Sequence, residues 1–141
     1  MRTVFQNCTL LDGTEQMSPR LGTDVAIEND RIAQIGKITP NKGDRVVDLT
    51  GKYLMPGLIN LHVHLPAGGK PRNKPMNTNR LTKIALSSGL SRALVLRMCH
   101  AYAMQGLLSG VTTVRAVGGL DNLDTRLRDR IHAASWTVRG S

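Results

Sequence analysis

Over the first fifty positions, apolar and polar residues switch with the short period of extended chain, and turn residues break the pattern often. Thr3 to Leu10 alternates imperfectly and stops at Asp12-Gly13, a turn signal. Met17 to Thr23, which holds Pro19 and Gly22, reads as a loop. The apolar-rich runs Val25–Glu28 and Arg31–Gly36 flank Asn29-Asp30, two residues that tolerate positive φ, so they predict a hairpin. Thr39 to Asp44 is polar and turn-rich, and Arg45–Asp48 predicts one more short strand. Residues 2–48 are therefore expected to form a small β-domain of partly open sheets.

From Tyr53 the pattern changes. Pro56-Gly57 marks a turn, and Leu58-Ile59-Asn60-Leu61-His62-Val63-His64-Leu65 is a short, largely apolar run that suits a strand buried on both faces, as in a parallel sheet. Successive side chains of a strand point to opposite faces, so His62 and His64 project together while Val63 points away. Two imidazoles side by side at a strand end make half a site for a divalent metal such as zinc. The same spacing also describes two hydrogen-bonded core or surface histidines, and spacing alone does not choose between them. Residues 66–89 read as a loop with Lys70, Arg72, Lys74, Arg80 and Lys83 among Pro, Asn and Gly; it could hold a substrate carboxylate, or simply be a solvated surface. Leu90, Leu94, Met98, Ala101, Met104 and Leu108 recur at spacings of three and four, which predicts a helix over 91–109 with Ser91 capping its start and Gly110 just past its end. The β-branched run Val111–Val117 predicts a second buried strand closing at Gly118-Gly119, and strand, helix, strand is a βαβ unit. Asp121 to Ala134 reads as a short amphipathic helix, with Leu123, Leu127 and Ile131 on one stripe and His132 off it.

Charge sharpens this picture. The chain of 141 residues carries 19 Lys and Arg against 10 Asp and Glu, a formal charge of +9. Residues 49–120 hold nine of the basic residues and no carboxylate, so any Asp or Glu serving His62 and His64 must lie elsewhere. Basic excess is the footprint of phosphate binding, but the cations are scattered over strand, loop and helix, and aromatics make up only 3% of the chain. A basic nucleic-acid-binding module is thus the weaker alternative. Cys8 and Cys99 lack metal or redox spacing and read as reduced thiols. With no signal-peptide core and no apolar run of about 18 residues, the expected place is the cytoplasm, away from a membrane.

The string Pro56-Gly57-Leu58-Ile59-Asn60-Leu61-His62-Val63-His64-Leu65 resembles the first barrel strand of the amidohydrolase superfamily, metal-dependent hydrolases built on a TIM barrel. Ile27-Glu28-Asn29-Asp30-Arg31-Ile32-Ala33-Gln34-Ile35-Gly36 resembles the small β-sandwich that precedes that barrel. Gly110-Val111-Thr112-Thr113-Val114-Arg115-Ala116-Val117-Gly118-Gly119 is similar to the imidazolonepropionase-like and prolidase-like peptidase branch, whose usual form has Asp where Ala116 stands; Asn60 likewise stands where Asp is frequent. The resemblance implies an α/β chain: residues 1–55 as part of a β-sandwich, 56–134 as the first βαβα units of a TIM (β/α)8 barrel, truncated, and 135–141 as an unrelated tail. A full barrel takes about 250 residues. It also implies metal ligation by His62 and His64, one or two divalent ions (zinc foremost), and hydrolysis of C–N bonds with a dipeptide as the first-guess substrate. His100 and His132 would sit on outer helices and are not expected to be ligands. Expected partners are a small-molecule or peptide substrate, with a homo-oligomer left open. No catalytic residue is assigned, and the chain by itself is expected to be an inactive, truncated or frameshifted part of an enzyme.

Overall fold

The computed structural model describes residues 1–66 and 77–133, and the chain divides into two compact units, Met1–Pro56 and Gly57–Ser141. The first contains five strands: β1 (Arg2–Leu10), β2 (Arg20–Glu28), β3 (Arg31–Gly36), β4 (Arg45–Asp48) and β5 (Tyr53–Leu54). They form one mixed sheet in the order β3-β2-β1-β4, with β5 also on β1. β2 and β3 make the predicted hairpin about Asn29, whose φ is 57°. β4 and β5 both pair parallel to β1, and the turn between them is closed by Lys52 N donating to Leu49 O at 2.9 Å. One correction follows. The expected loop over Met17–Thr23 becomes strand from Arg20, because Gly22, at φ 58°, lets the chain curve while still pairing with β1. Among the described residues the unit is one sheet.

The imperfect alternation of β1 has a physical cause. Asn7 takes φ 62°, and between Phe5 and Cys8 the register against β2 slips by one residue. Such a bulge turns the rest of the strand to the other face. Val4 therefore packs with Ala26 and Ile38, while Cys8 and Leu10 pack with Val25 on the opposite side. The Asp24 carboxylate, buried in the sheet, accepts the bulge N–H of Asn7 and the N–H of Ile38, each at 2.9 Å.

The second unit runs β6 (Leu58–Val63), α1 (Thr78–Ala85), α2 (Gly89–Leu108), β7 (Val111–Ala116) and α3 (Leu123–His132). β6 and β7 pair in parallel. Gly57 faces the Thr112 side chain so closely that a Cβ there would run into it. The pair is not buried on both faces as the apolar run predicts: Ile59 is 64% and Leu61 66% exposed, since a two-stranded sheet has few neighbours to cover it. α1 lies inside the expected loop and starts at Asn77, whose side chain accepts Arg80 N at 3.0 Å. Lys70, Arg72, Lys74 and the expected tail fall outside the described residues. α2 is capped by Ser88 rather than Ser91; Ser91 is the third helical residue and returns the bond to Ser88 N, a reciprocal capping box.

The buried face of α2 also differs from expectation. Leu96 and Cys99 pack on Leu123 and Leu127 of α3, whereas Leu90, Leu94 and Leu108 of the predicted stripe face solvent. α2 is apolar around much of its circumference, so periodicity could not select a side; contact with α3 does. In α3 itself Leu123 and Leu127 are buried as the stripe predicts, and His132 is exposed. Among the described residues no helix is long and apolar enough to cross a membrane.

Candidate metal centre

His62 is the next-to-last residue of β6, and His64 follows immediately after the strand ends at Val63. The Asn60 side chain, two residues back, accepts the backbone N–H of His62 at 3.1 Å. On the neighbouring strand, Val117 N donates to Val63 O at 3.1 Å, so the parallel pairing continues to the point where His64 leaves it. The next carbonyl along, Gly118 O, lies 3.3 Å from Nδ1 of His64. A carbonyl oxygen only accepts, so this contact assigns the proton of a neutral ring to Nδ1 and leaves the Nε2 lone pair free. Gly118 has φ 126°, a conformation that L side chains rarely adopt; the nearest ring atom would be an ordinary 3.9 Å from an added Cβ, so backbone conformation and not crowding calls for glycine.

The two imidazole rings lie side by side, 5.2 Å between centroids and 74° between planes, both exposed. Neutral imidazoles with open nitrogens are the donor type that zinc takes, and the edge-on arrangement brings two of them to one place. No group of three or more His, Cys, Asp or Glu able to hold an ion occurs among the described residues. Position 116, at the end of β7, is Ala, so it contributes no carboxylate. His100 is on α2 and His132 on α3, and neither is gathered with the pair. An open groove of about 460 Å³ lies along β7 and α3, lined by Leu65, Thr112, Val114, Leu127 and Ile131 among others; it does not include the His62–His64 pair.

No family model matches the chain. A 5-methylthioadenosine/S-adenosylhomocysteine deaminase of Thermoanaerobacter pseudethanolicus is 44% identical over 66 residues, 46% of this chain and 15% of that protein. A dihydroorotase of Lactobacillus helveticus is 37% identical over 92 residues, 64% of this chain and 20% of its own length. The solved structure of phenylurea hydrolase B superposes with a TM-score of 0.74 at 28% identity, over 97% of this chain and 29% of that one. These relatives and structural neighbours are members of the amidohydrolase superfamily, and the chain is similar to them. It matches the N-terminal portion of these amidohydrolases and spans 15–20% of the two curated relatives.

Sequence reasoning found the histidine pair but not what surrounds it. The Gly118 carbonyl was legible only as a strand-ending Gly-Gly. The ion pair between Arg92 Nε and Asp121 Oδ2, at 3.1 Å, joins the start of α2 to the turn before α3 and left no trace in local pattern.

Proposed function

We propose that this chain is the N-terminal part of a metal-dependent amidohydrolase that cleaves C–N bonds. In this reading His62 and His64 hold a divalent ion, zinc foremost, and a dipeptide is the first substrate to try. The observation that carries the reading is the adjacency of the two rings at the end of a strand in a parallel pair, with Nδ1 of His64 engaged and Nε2 open. When bound, the ion would lower the pKa of a water and polarise the scissile carbonyl. The chain's own residues supply the framework. Asn60 fixes the backbone at His62, Gly118 fixes the ring of His64, and the register of β6 on β7 brings both together.

Residues 56–134 fit the opening βαβα units of a (β/α)8 barrel, and residues 1–55 fit part of the small β-domain that precedes it in sequence. The likeness in fold to phenylurea hydrolase B and the C–N chemistry in the names of the relatives support this. A catalytic zinc takes three protein ligands as a rule. Two imidazoles supply weak, exchangeable binding, and the 141-residue chain alone is read as inactive, acting in the cytoplasm only as part of a larger centre.

Calorimetric titration of the purified chain with zinc, beside His62→Ala and His64→Ala, tests this. One weakly bound ion, lost in either variant, with no turnover of dipeptides, is the expected result. Absence of binding, or binding indifferent to both substitutions, refutes the metal assignment; stoichiometric metal with dipeptide hydrolysis refutes the inactivity.

A further inference from the structure

Between β7 and α3 the chain makes a tight connection, residues 117–122, and the Gly118 carbonyl that meets His64 belongs to it. The backbone here is unusual. Gly118 has φ 126°, and Asp121 and Asn122 follow with φ 52° and 53°, two successive non-glycine residues in the left-handed region. Such a pair persists only where its surroundings over-determine it. At its far end the connection is locked into α3: Leu123 is buried, Leu123 N donates to Leu120 O at 3.0 Å, and Thr125 Oγ donates to Asn122 O at 2.8 Å. Gly119 is pressed so close to the Asp124 carboxylate that a Cβ would collide with it. On its other side stands Arg92, in the first turns of α2. The Arg92 Nε atom is sealed from solvent and has no partner with hydrogen-bond geometry, although the Asp121 carboxylate lies 3.1 Å away. That carboxylate is therefore the group that compensates the shielded part of the cation, and the contact is ionic.

The geometry points to Arg92 and Asp121 as a positioning pair: by pinning the connection they hold the Gly118 carbonyl against Nδ1 of His64 and so present Nε2 as the nitrogen that takes the metal. Ligand histidines are commonly held in this way by a carbonyl or carboxylate on the second nitrogen, and loss of that support costs about 10- to 100-fold in metal affinity. Neither residue touches the ring. They act through three intervening backbone units. The inference rests on the metal reading above, but its first consequence concerns the metal-free chain.

The test is long-range nitrogen–proton correlation NMR on the ¹⁵N-labelled, metal-free 141-residue chain at pH 8, where imidazole is neutral, followed by zinc titration. In the parent, His64 is expected as the Nδ1–H tautomer. Asp121→Asn keeps size and tolerance of the left-handed backbone but removes the charge. It is expected to mix the two tautomers and weaken zinc binding about tenfold or more. Arg92→Lys, which keeps a cation near Asp121, is expected to retain most of the parent tautomer. Asp129→Asn, at the exposed Arg128 pair on α3, is expected to change neither readout. Combining Arg92→Met with Asp121→Asn should be no worse than Asp121→Asn alone, as for two members of one unit. A parent His64 found as Nε2–H, or an unchanged tautomer in folded Asp121→Asn, overturns the inference. If Asp121→Asn does not fold, Arg92→Met alone decides it by the same tautomer readout. A parent with the expected tautomer but no zinc affinity overturns the metal reading and leaves the positioning intact.

Discussion

Asp24→Ala should be the most damaging single change in the first unit. Its carboxylate accepts two backbone N–H groups, from Asn7 and Ile38, each at 2.9 Å, and both bonds span distant parts of the chain. Hydrogen bonds to a charged group contribute about 1.5–3 kcal/mol each, and a buried donor left without a partner costs about 1–3 kcal/mol. Ile38 is buried, whereas the Asn7 bond is only partly so, which places the loss near the lower end for the second donor. The sum is about 3–4 kcal/mol for Asp24→Ala. Asp24→Asn keeps one acceptor but turns an NH₂ group toward the other N–H, for a loss of about 2 kcal/mol. A unit of this size has on the order of 3–8 kcal/mol in total, so the alanine variant should remove about half of it or more. Urea denaturation measures the loss, and amide exchange at Asn7 and Ile38 locates it. A loss below about 1 kcal/mol for Asp24→Ala, or unchanged protection at both amides, would refute the assignment of the bulge to this carboxylate.

The same two N–H bonds hold the Asp24 carboxyl below its ordinary value, against the opposing effect of burial. Because the folded value is depressed, the stabilisation is present above the unfolded aspartate value of about 3.9 and is lost as pH falls below it toward the folded value; acid titration of parent and Asp24→Asn should diverge above that point and converge beneath it. In the second unit, Gly57→Ala should cost about 1–3 kcal/mol by driving a methyl into Thr112, and Thr112→Gly in the same chain should recover most of it in thermal melts. Burial pushes the thiols of Cys8 and Cys99 up, so a disulfide reagent at pH 8 should modify neither in the folded chain and both after denaturation, a fast reaction with folded protein being the contrary result.

How much could be read beforehand depended on whether a feature was local. The Asn29 hairpin, the strand at Leu58–Val63 and the strand at Val111–Ala116 depend on turn chemistry and short apolar runs, and all three form. The adjacency of His62 and His64 follows from the two-residue period of extended chain, and their rings do lie together. The features that escaped depend on partners far along the sequence. The bulge at Asn7 is fixed by Asp24, and the buried side of α2 is chosen by Leu123 and Leu127. α1 escaped for a different reason: its basic, polar composition resembles loop, and its one clear signal is the Asn77 cap. The Arg92–Asp121 contact joins residues far apart in sequence that share no pattern at all.

Strand β1 is made before any of the strands it pairs with, yet it is completed by Arg45–Asp48 and Tyr53–Leu54. Its antiparallel neighbour can dock once Glu28 has emerged, but that leaves one whole side of β1 without partners. Parallel closure over some forty residues is inherently slow. At ordinary elongation speeds of about 5–20 residues per second, the nascent chain therefore passes a second or more as a three-stranded meander with an open flank. That interval, rather than the finished sheet, is when a chaperone would matter most to this protein.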